Sequence, residues 1–319
     1  MIRLLAPGFV VAVIVGCAPT HRANLANTAI ASDGHQALVV SDHWYEVVQV
    51  DPSPADVPSA GIRRSIKDSH WPWRVRHRKS GIIMQLVPSI GPLSVDYQCI
   101  VIKGATVSLR SVATTKAFYL GCTECSVGEA RRLRLAAASV TGTQDHESDD
   151  RLPVEVRSHS DLSSELACSG LRLPTEAEWV YFAALLWSNG GMEYARSENI
   201  LDRSSAENAA IIERFAIPSS DLGEDGIAGP CAVGTCGKGL MGFHDVFGNV
   251  SELCADMNLA ILAHSALTPK DVRDQYGFVA AIHGGAYNLP LGRCRPGMST
   301  LMDQYPNRVG FRVAHDAAE

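Results

Sequence analysis

The sequence predicts an α+β fold with little regular secondary structure, and three observations carry that reading. First, short apolar runs bounded by turn residues read as strands: GIIMQLV from Gly81, QCIVIKGATVSL from Gln98 and KAFYLG from Lys116. Second, three later segments carry helix start and stop signals. Third, residues 189–250 are Gly-rich and almost without periodicity, and a compact domain holds such a stretch only where ions, disulfides or function fix it. The chain has 319 residues, 46 % hydrophobic and 19 % charged, enough apolar material for a sizeable core. Its 28 Lys and Arg against 34 Asp and Glu give a net charge of -6, which argues against nucleic acid as a partner.

Each element has a local reason. In SVGEARRLRLAAASV, Ser126 and Glu129 make a capping box and predict a helix over the segment. SHSDLSSELACSG predicts a short helix that stops at Gly170. In PTEAEWVYFAALLW, Pro174 suits the first turn, Thr175 can cap, and Glu176 and Glu178 lie at the positive end of the dipole. Upstream, HWYEVVQV reads as one strand, and DPSPADVPSAG, with Pro52, Pro54 and Pro58, as a linker or extended loop. Residues 63–79 hold seven cations, Arg63, Arg64, Lys67, Arg74, Arg76, Arg78 and Lys79, opposed by Asp68 alone. That run is either a solvated face or a contact for an anionic surface such as lipid head groups. The organisation read from these signals is residues 1–17 as a leader, 18–80 as a tether and Pro-rich extension, and 81–319 as the main domain.

The leader has Arg3, then an apolar stretch from Leu4 to Val15, broken at Pro7-Gly8. It is short of the roughly 20 residues a spanning helix needs. It ends in Ile14-Val15-Gly16-Cys17, which resembles the lipobox of bacterial lipoproteins. That resemblance implies cleavage before Cys17, acylation of Cys17 and a membrane partner through the lipid anchor. Ala18 in place of Asp points to the outer membrane of a bacterial cell envelope, facing periplasm or surface. An ordinary signal peptide or an apolar N-terminal strand stays open.

Eight further cysteines remain, an even count that suggests disulfides in an export context. Cys231 and Cys236 form the nearest local loop. Cys122-x-x-Cys125 with the same pair offers a four-thiolate zinc site instead.

Four segments follow in order: LRLPTEAEW (171–179), GEDGIAG (223–229), GFHDVFGNVSEL (242–253), and HGGAYN (283–288) with RVGFRVA (308–314). Together they resemble the formylglycine-generating enzyme family, the sulfatase-modifying-factor domain, over roughly residues 81–316. The resemblance implies one α+β domain of C-type-lectin-like topology. It also implies one or two calcium ions. Asn208, Ala209, Asp225 and Ile227 match one ligand set, and Asp245, Gly248, Val250 and Glu252 match the other. The chemistry is sensible, because calcium takes hard oxygen ligands and Asp245 and Glu252 flank a Gly turn. The family also places Cys254 and Cys294 around its core pocket, which implies that they pair.

The pattern departs from the family's oxidase site. Its two copper-binding cysteines would fall near Asn288 or Leu289 and within Leu291–Arg293, and Cys294 matches a later structural cysteine. Its active-site Ser is Ala286 and its Trp is Ser251. No copper is expected, because one thiolate cannot make a bis-thiolate site. Ser251, Ala286, Asn288 and Arg295 would line the pocket, with no catalytic residue among them. The histidines show no HxH or HxxxH spacing for iron, so His244 and His283 read as structural hydrogen-bond partners. Two functions follow. One is a lipid-anchored, calcium-stapled binding or structural module that meets a protein, peptide or glycan through the loop 286–308. The other is an enzyme with altered chemistry, a formylglycine-generating-like oxidase or a peptide or siderophore maturase.

Overall fold

The computed structural model describes residues 44–100, 106–113, 115–141, 149–189, 230–235, 240–257, 280–286, 298–301 and 309–317. The leader, Cys17 and the tether lie outside them. So do Asn208, Ala209, Asp225, Ile227, Cys236, Asn288, Cys294 and Arg295.

Two sheets organise the fold. The first holds β1 (Tyr45–Gln49), β2 (Arg74–His77), β3 (Ile83–Val87), β6 (Phe118–Gly121) and β11 (Ala314–Asp316), in that spatial order and all antiparallel. The second runs β10 (Val309–Gly310), β7 (Ser251–Met257), β8 (Ala280–His283), β9 (Met298–Leu301), β4 (Leu93–Ile100) and β5 (Thr106–Ala113). In it, β10 with β7 and β4 with β9 are parallel pairs. The apolar runs read as strands become β3, the hairpin β4–β5, and β6. Every residue of β6 is buried, as a central strand requires.

Four α-helices, α1 (Ala60–Asp68), α2 (Val127–Leu133), α3 (His159–Ala167) and α4 (Glu176–Asn189), and a 3-10 turn at Leu240–Gly242 complete the described residues. The capping box of α2 forms as read, with Glu129 N donating to Ser126 Oγ and Ser126 N donating to Glu129 Oε2 at 2.9 Å. The helix is half the length the segment suggests. Arg134 turns left-handed (φ 62°), and the Glu165 carboxylate accepts from Ala136 N at 3.0 Å, holding the chain in a turn. In α4, Trp179 through Leu186 are all buried, and the helix packs on β4, β5 and β7. None of the described helices is long and apolar enough to cross a membrane.

The extension is not a separate unit. The Pro-rich stretch folds into a turn, with Asp56 and Ser53 bonded to each other, and ends at Ser59, the N-cap of α1. β1 and β2 then extend the sheet of β3, β6 and β11. Residue 80 is therefore no structural boundary, because Trp73, Val75 and the α1 residues Ile62 and Ile66 sit in the common core. Distant parts of the chain meet here too: Trp44 stacks on His315 of β11 at 3.8 Å and 22°.

Candidate functional site

The site grows from the turn that leads into β7. Asp245 and Asn249 adopt left-handed backbone (φ 54° and 58°), and Gly248 lies at φ 108°. These residues curl the chain before Ser251 pairs with Val309 and Glu252 with His283. Gly284 lies at φ 85°, and a Cβ there would stand 3.0 Å from Val246 O, so only glycine lets the β8 exit approach this turn. Gly248 N donates to Gly284 O at 2.9 Å, closing the two segments together.

Glu252 is fully buried. It accepts from Arg312 Nε at 2.6 Å and from Trp179 Nε1 at 2.7 Å. Burial lifts its pKa, and Arg312 and Trp179 oppose the rise. Arg312 is itself fully buried and also donates to Gly121 O and His244 O. Beside this pair, Glu124 accepts from Val250 N at 3.0 Å and Asn249 Nδ2 at 2.6 Å. Burial pushes its pKa far above the carboxylate range, and the nearby Asp245 charge adds to that. Asn249 Oδ1 in turn accepts from Cys231 N at 2.9 Å, and Asp245 Oδ2 accepts from Gly234 N. Residues 231–234 are thereby tied to the turn.

On the other side, His283 Nε2 lies 3.0 Å from Glu176 Oε1, both side chains being fully buried. Trp179 stacks on the His283 ring at 4.7 Å and 17°. Asp256 accepts from Glu176 N at the start of α4, and burial pushes its pKa up to about 6, with the Glu176 charge adding. His283 is a structural partner, as the sequence suggests.

The second proposed cation position can be tested against these groups. No three His, Cys, Asp or Glu side chains among the described residues converge tightly enough to hold a metal unaided. A cation here has to lean on the Gly248 and Val250 carbonyls. The charge balance leaves room for one, because Asp245 and Glu252 lie buried near the guanidinium of Arg312, while burial favours the protonated form of Glu124. A carboxylate has about four lone-pair positions, so two N–H bonds leave Glu252 able to ligate. Asp245 and Glu252, with the two carbonyls, would hold calcium by charge and hard oxygen.

Cys231 and Cys254 stand as free thiols among the described residues, and the partners proposed for them, Cys236 and Cys294, lie outside those residues. Cys254 sits fully buried on β7, and burial followed by the charges of Asp256, Glu176 and Glu252 raises its pKa. A thiol so placed has no cause to ionise. Cys122 and Cys125 are also free and buried, and burial pushes Cys122 up to about 12. They do not converge with Cys231 as zinc thiolates would. Of the pocket residues, Ser251 is 2 % exposed and Ala286 1 %, both packed into the interior.

Sequence reasoning gave no role to Glu124, Arg312, Trp179 or Asp256, and read Glu176 only as a helix-start charge. A signal existed for Arg312, which is a charge inside the apolar run VGFRVA, tolerable only with a buried partner.

Comparison with known proteins agrees with this geometry. The model of the sulfatase-modifying factor enzyme 1-like domain matches residues 105–317. A protein named formylglycine-generating enzyme from Thermomonospora curvata is 33 % identical over 122 residues, which is 37 % of this chain and 36 % of that protein. One of the same name from Streptomyces coelicolor is 27 % identical over 192 residues, 59 % of this chain and 58 % of its own length. The matched stretches thus span less than two thirds of both relatives. The solved structure of PvdO from Pseudomonas aeruginosa superposes with a TM-score of 0.52 at 18 % identity, covering 76 % of this chain and 97 % of that one. That likeness speaks for the fold alone. With its matched domain spanning most of the chain, the protein belongs to the sulfatase-modifying factor enzyme 1-like family.

Proposed function

We propose that this protein is an envelope-anchored binding or structural module on the family's scaffold, and not a copper-thiolate oxidase. One observation carries the reading. The charged groups beneath Gly284–Ala286 satisfy one another, Glu252 with Arg312 and Trp179, and Glu176 with His283. Groups so committed stiffen a scaffold and are not free to serve a substrate as acid or base. The replacement of the family's Ser and Trp by Ala286 and Ser251 supports the same conclusion. Recognition falls to the loop 286–308, for a protein, peptide or glycan. Cys17 carries the lipid, and calcium at Asp245, Gly248, Val250 and Glu252 pins the core turn, with a second ion at Asn208, Ala209, Asp225 and Ile227.

The alternative is an enzyme of altered chemistry, which the names of the two curated relatives favour. One assay separates the two readings. The purified protein is incubated with copper(I), oxygen and a peptide bearing Cys-x-Pro-x-Arg, and the products are weighed by mass spectrometry. The expected outcome is an intact thiol. Aldehyde formation that disappears in Cys294→Ser overturns the module and restores the oxidase.

A further inference from the structure

The β1–α1–β2 surface stands apart from the family domain in charge. Residues 44–80 hold seven Lys or Arg and four Asp or Glu, whereas residues 81–319 hold 19 and 28. An acidic body therefore carries one basic face, and the domain model begins only at residue 105.

Not all seven cations are available. Arg63 is tied to the Val57 and Pro58 carbonyls, Arg74 to Gln85 Oε1 at 2.9 Å, and Lys79 to Ser169 Oγ at 2.9 Å. Arg64 and Lys67 project from α1 as exposed residues and make no ion pair among the described residues. Arg76 and Arg78 share one carboxylate, Glu46, at 3.9 and 3.8 Å, Arg78 also donating Nε to Tyr45 O at 3.1 Å with its terminal nitrogens left to Glu46, and all three side chains are half exposed. Such pairs are worth about 0–1 kcal/mol, so both guanidiniums can exchange Glu46 for phosphate at little cost.

The same unit exposes apolar side chains. Val47, Val48 and Val50 are 40 %, 44 % and 56 % exposed, on or just after β1, which is the outermost strand of its sheet. An uncovered apolar edge strand is a liability in water. Beside basic side chains it becomes an interfacial surface, apolar groups entering the head-group boundary while cations meet phosphate.

We infer that the β1–β2 edge docks on an anionic phospholipid surface through Arg76 and Arg78, with Val48 and Val50 at the contact and the exposed Arg64 and Lys67 of α1 adding positive charge to the same segment. The partner is chosen by charge complementarity and by the chain's course. Trp44 opens this face, and 26 residues separate it from Cys17. Fully extended, they reach at most about 90 Å, so an anchor at Cys17 would hold the face close to the bilayer. The inference does not depend on that anchor.

The test therefore uses the full chain with Cys17→Ala, sedimented with vesicles of phosphatidylcholine alone or mixed with phosphatidylglycerol. Binding is expected only where the anionic lipid is present, and raised salt should weaken it. Each cation near such a surface contributes about five-fold in affinity, so Arg76→Gln with Arg78→Gln should cost about 25-fold. Glu46→Gln should tighten binding by freeing both guanidiniums, a gain that misfolding cannot mimic. Equal binding to both vesicles overturns the inference, as does anionic binding indifferent to these substitutions. A face that retains heparin while ignoring the vesicles overturns it as well.

Discussion

Arg312 shows how one residue commits the site. Its guanidinium is fully buried and meets Glu252 at 2.6 Å. Removing one partner of such a pair strands the other charge. Arg312→Met is therefore expected to lose about 3–5 kcal/mol in urea unfolding. Pairing it with Glu252→Leu should recover part of that loss, and no recovery would mean that Arg312 acts through packing alone. Asp256 gives a pH signature. Its folded pKa of about 6 lies above the ordinary value of 3.8, so the folded state holds the proton more tightly than the unfolded one. The stabilisation is complete below about pH 4 and is lost as pH rises through 6. Asp256→Asn should be more stable than the parent near pH 7, by up to about 3 kcal/mol, with the difference closing near pH 4. A difference of the same size at both pH values would show that Asp256 does not ionise in that window.

At the scale of elements, caps and sheet edges decide what holds. Ser126 serves α2 by accepting Glu129 N, and its own N–H is met by the Glu129 carboxylate. Ser126→Ala is expected to cost about 1–2 kcal/mol in thermal or urea unfolding. The pair β1–β2 covers β3 and supplies Trp73 and Val75 to the shared core. A chain beginning at Gly81 should therefore lose its cooperative melting transition, because the edge of β3 and the face of Met84 would meet water. A sharp transition retained by that chain would restore residue 81 as a boundary.

For the whole molecule, the proposed calcium is what a stability measurement can test. A ligand that binds only the folded state stabilises it by mass action, about 2.7 kcal/mol at a hundred times its dissociation constant. The melting temperature should rise in millimolar calcium and fall with chelator, and Asp245→Ala should lose most of that response. Indifference to both treatments would mean that Arg312 alone balances the buried carboxylates. Anchoring is tested on cells by fractionating the parent against Cys17→Ala. Equal partition of the two into membranes would remove Cys17 as the lipid site.

Much of this protein was legible because the signals are local. Ser126 and Glu129, Thr175 and Glu178, and Gly170 announce helix ends within a few residues, and apolar runs announce β3, β6 and the hairpin β4–β5. The ordered segments around Trp179, Gly248, Gly284 and Arg312 pointed to the family, since each encodes its own turn or cap. Local signals misjudged α2, where the tertiary contact from Glu165 stops the helix early, and they missed α1 inside a run read as charge alone. By itself the sequence determined the fold class, the helix starts and the glycine turns, because those depend on neighbours along the chain. Only the tertiary structure decided that Glu124 holds Asn249 and Val250, that Glu252 faces Arg312 sixty residues away, that Cys254 lies buried on β7, and that residues 44–80 join the main sheet. Buried charges choose partners by position in space, and no periodicity along the chain records that choice.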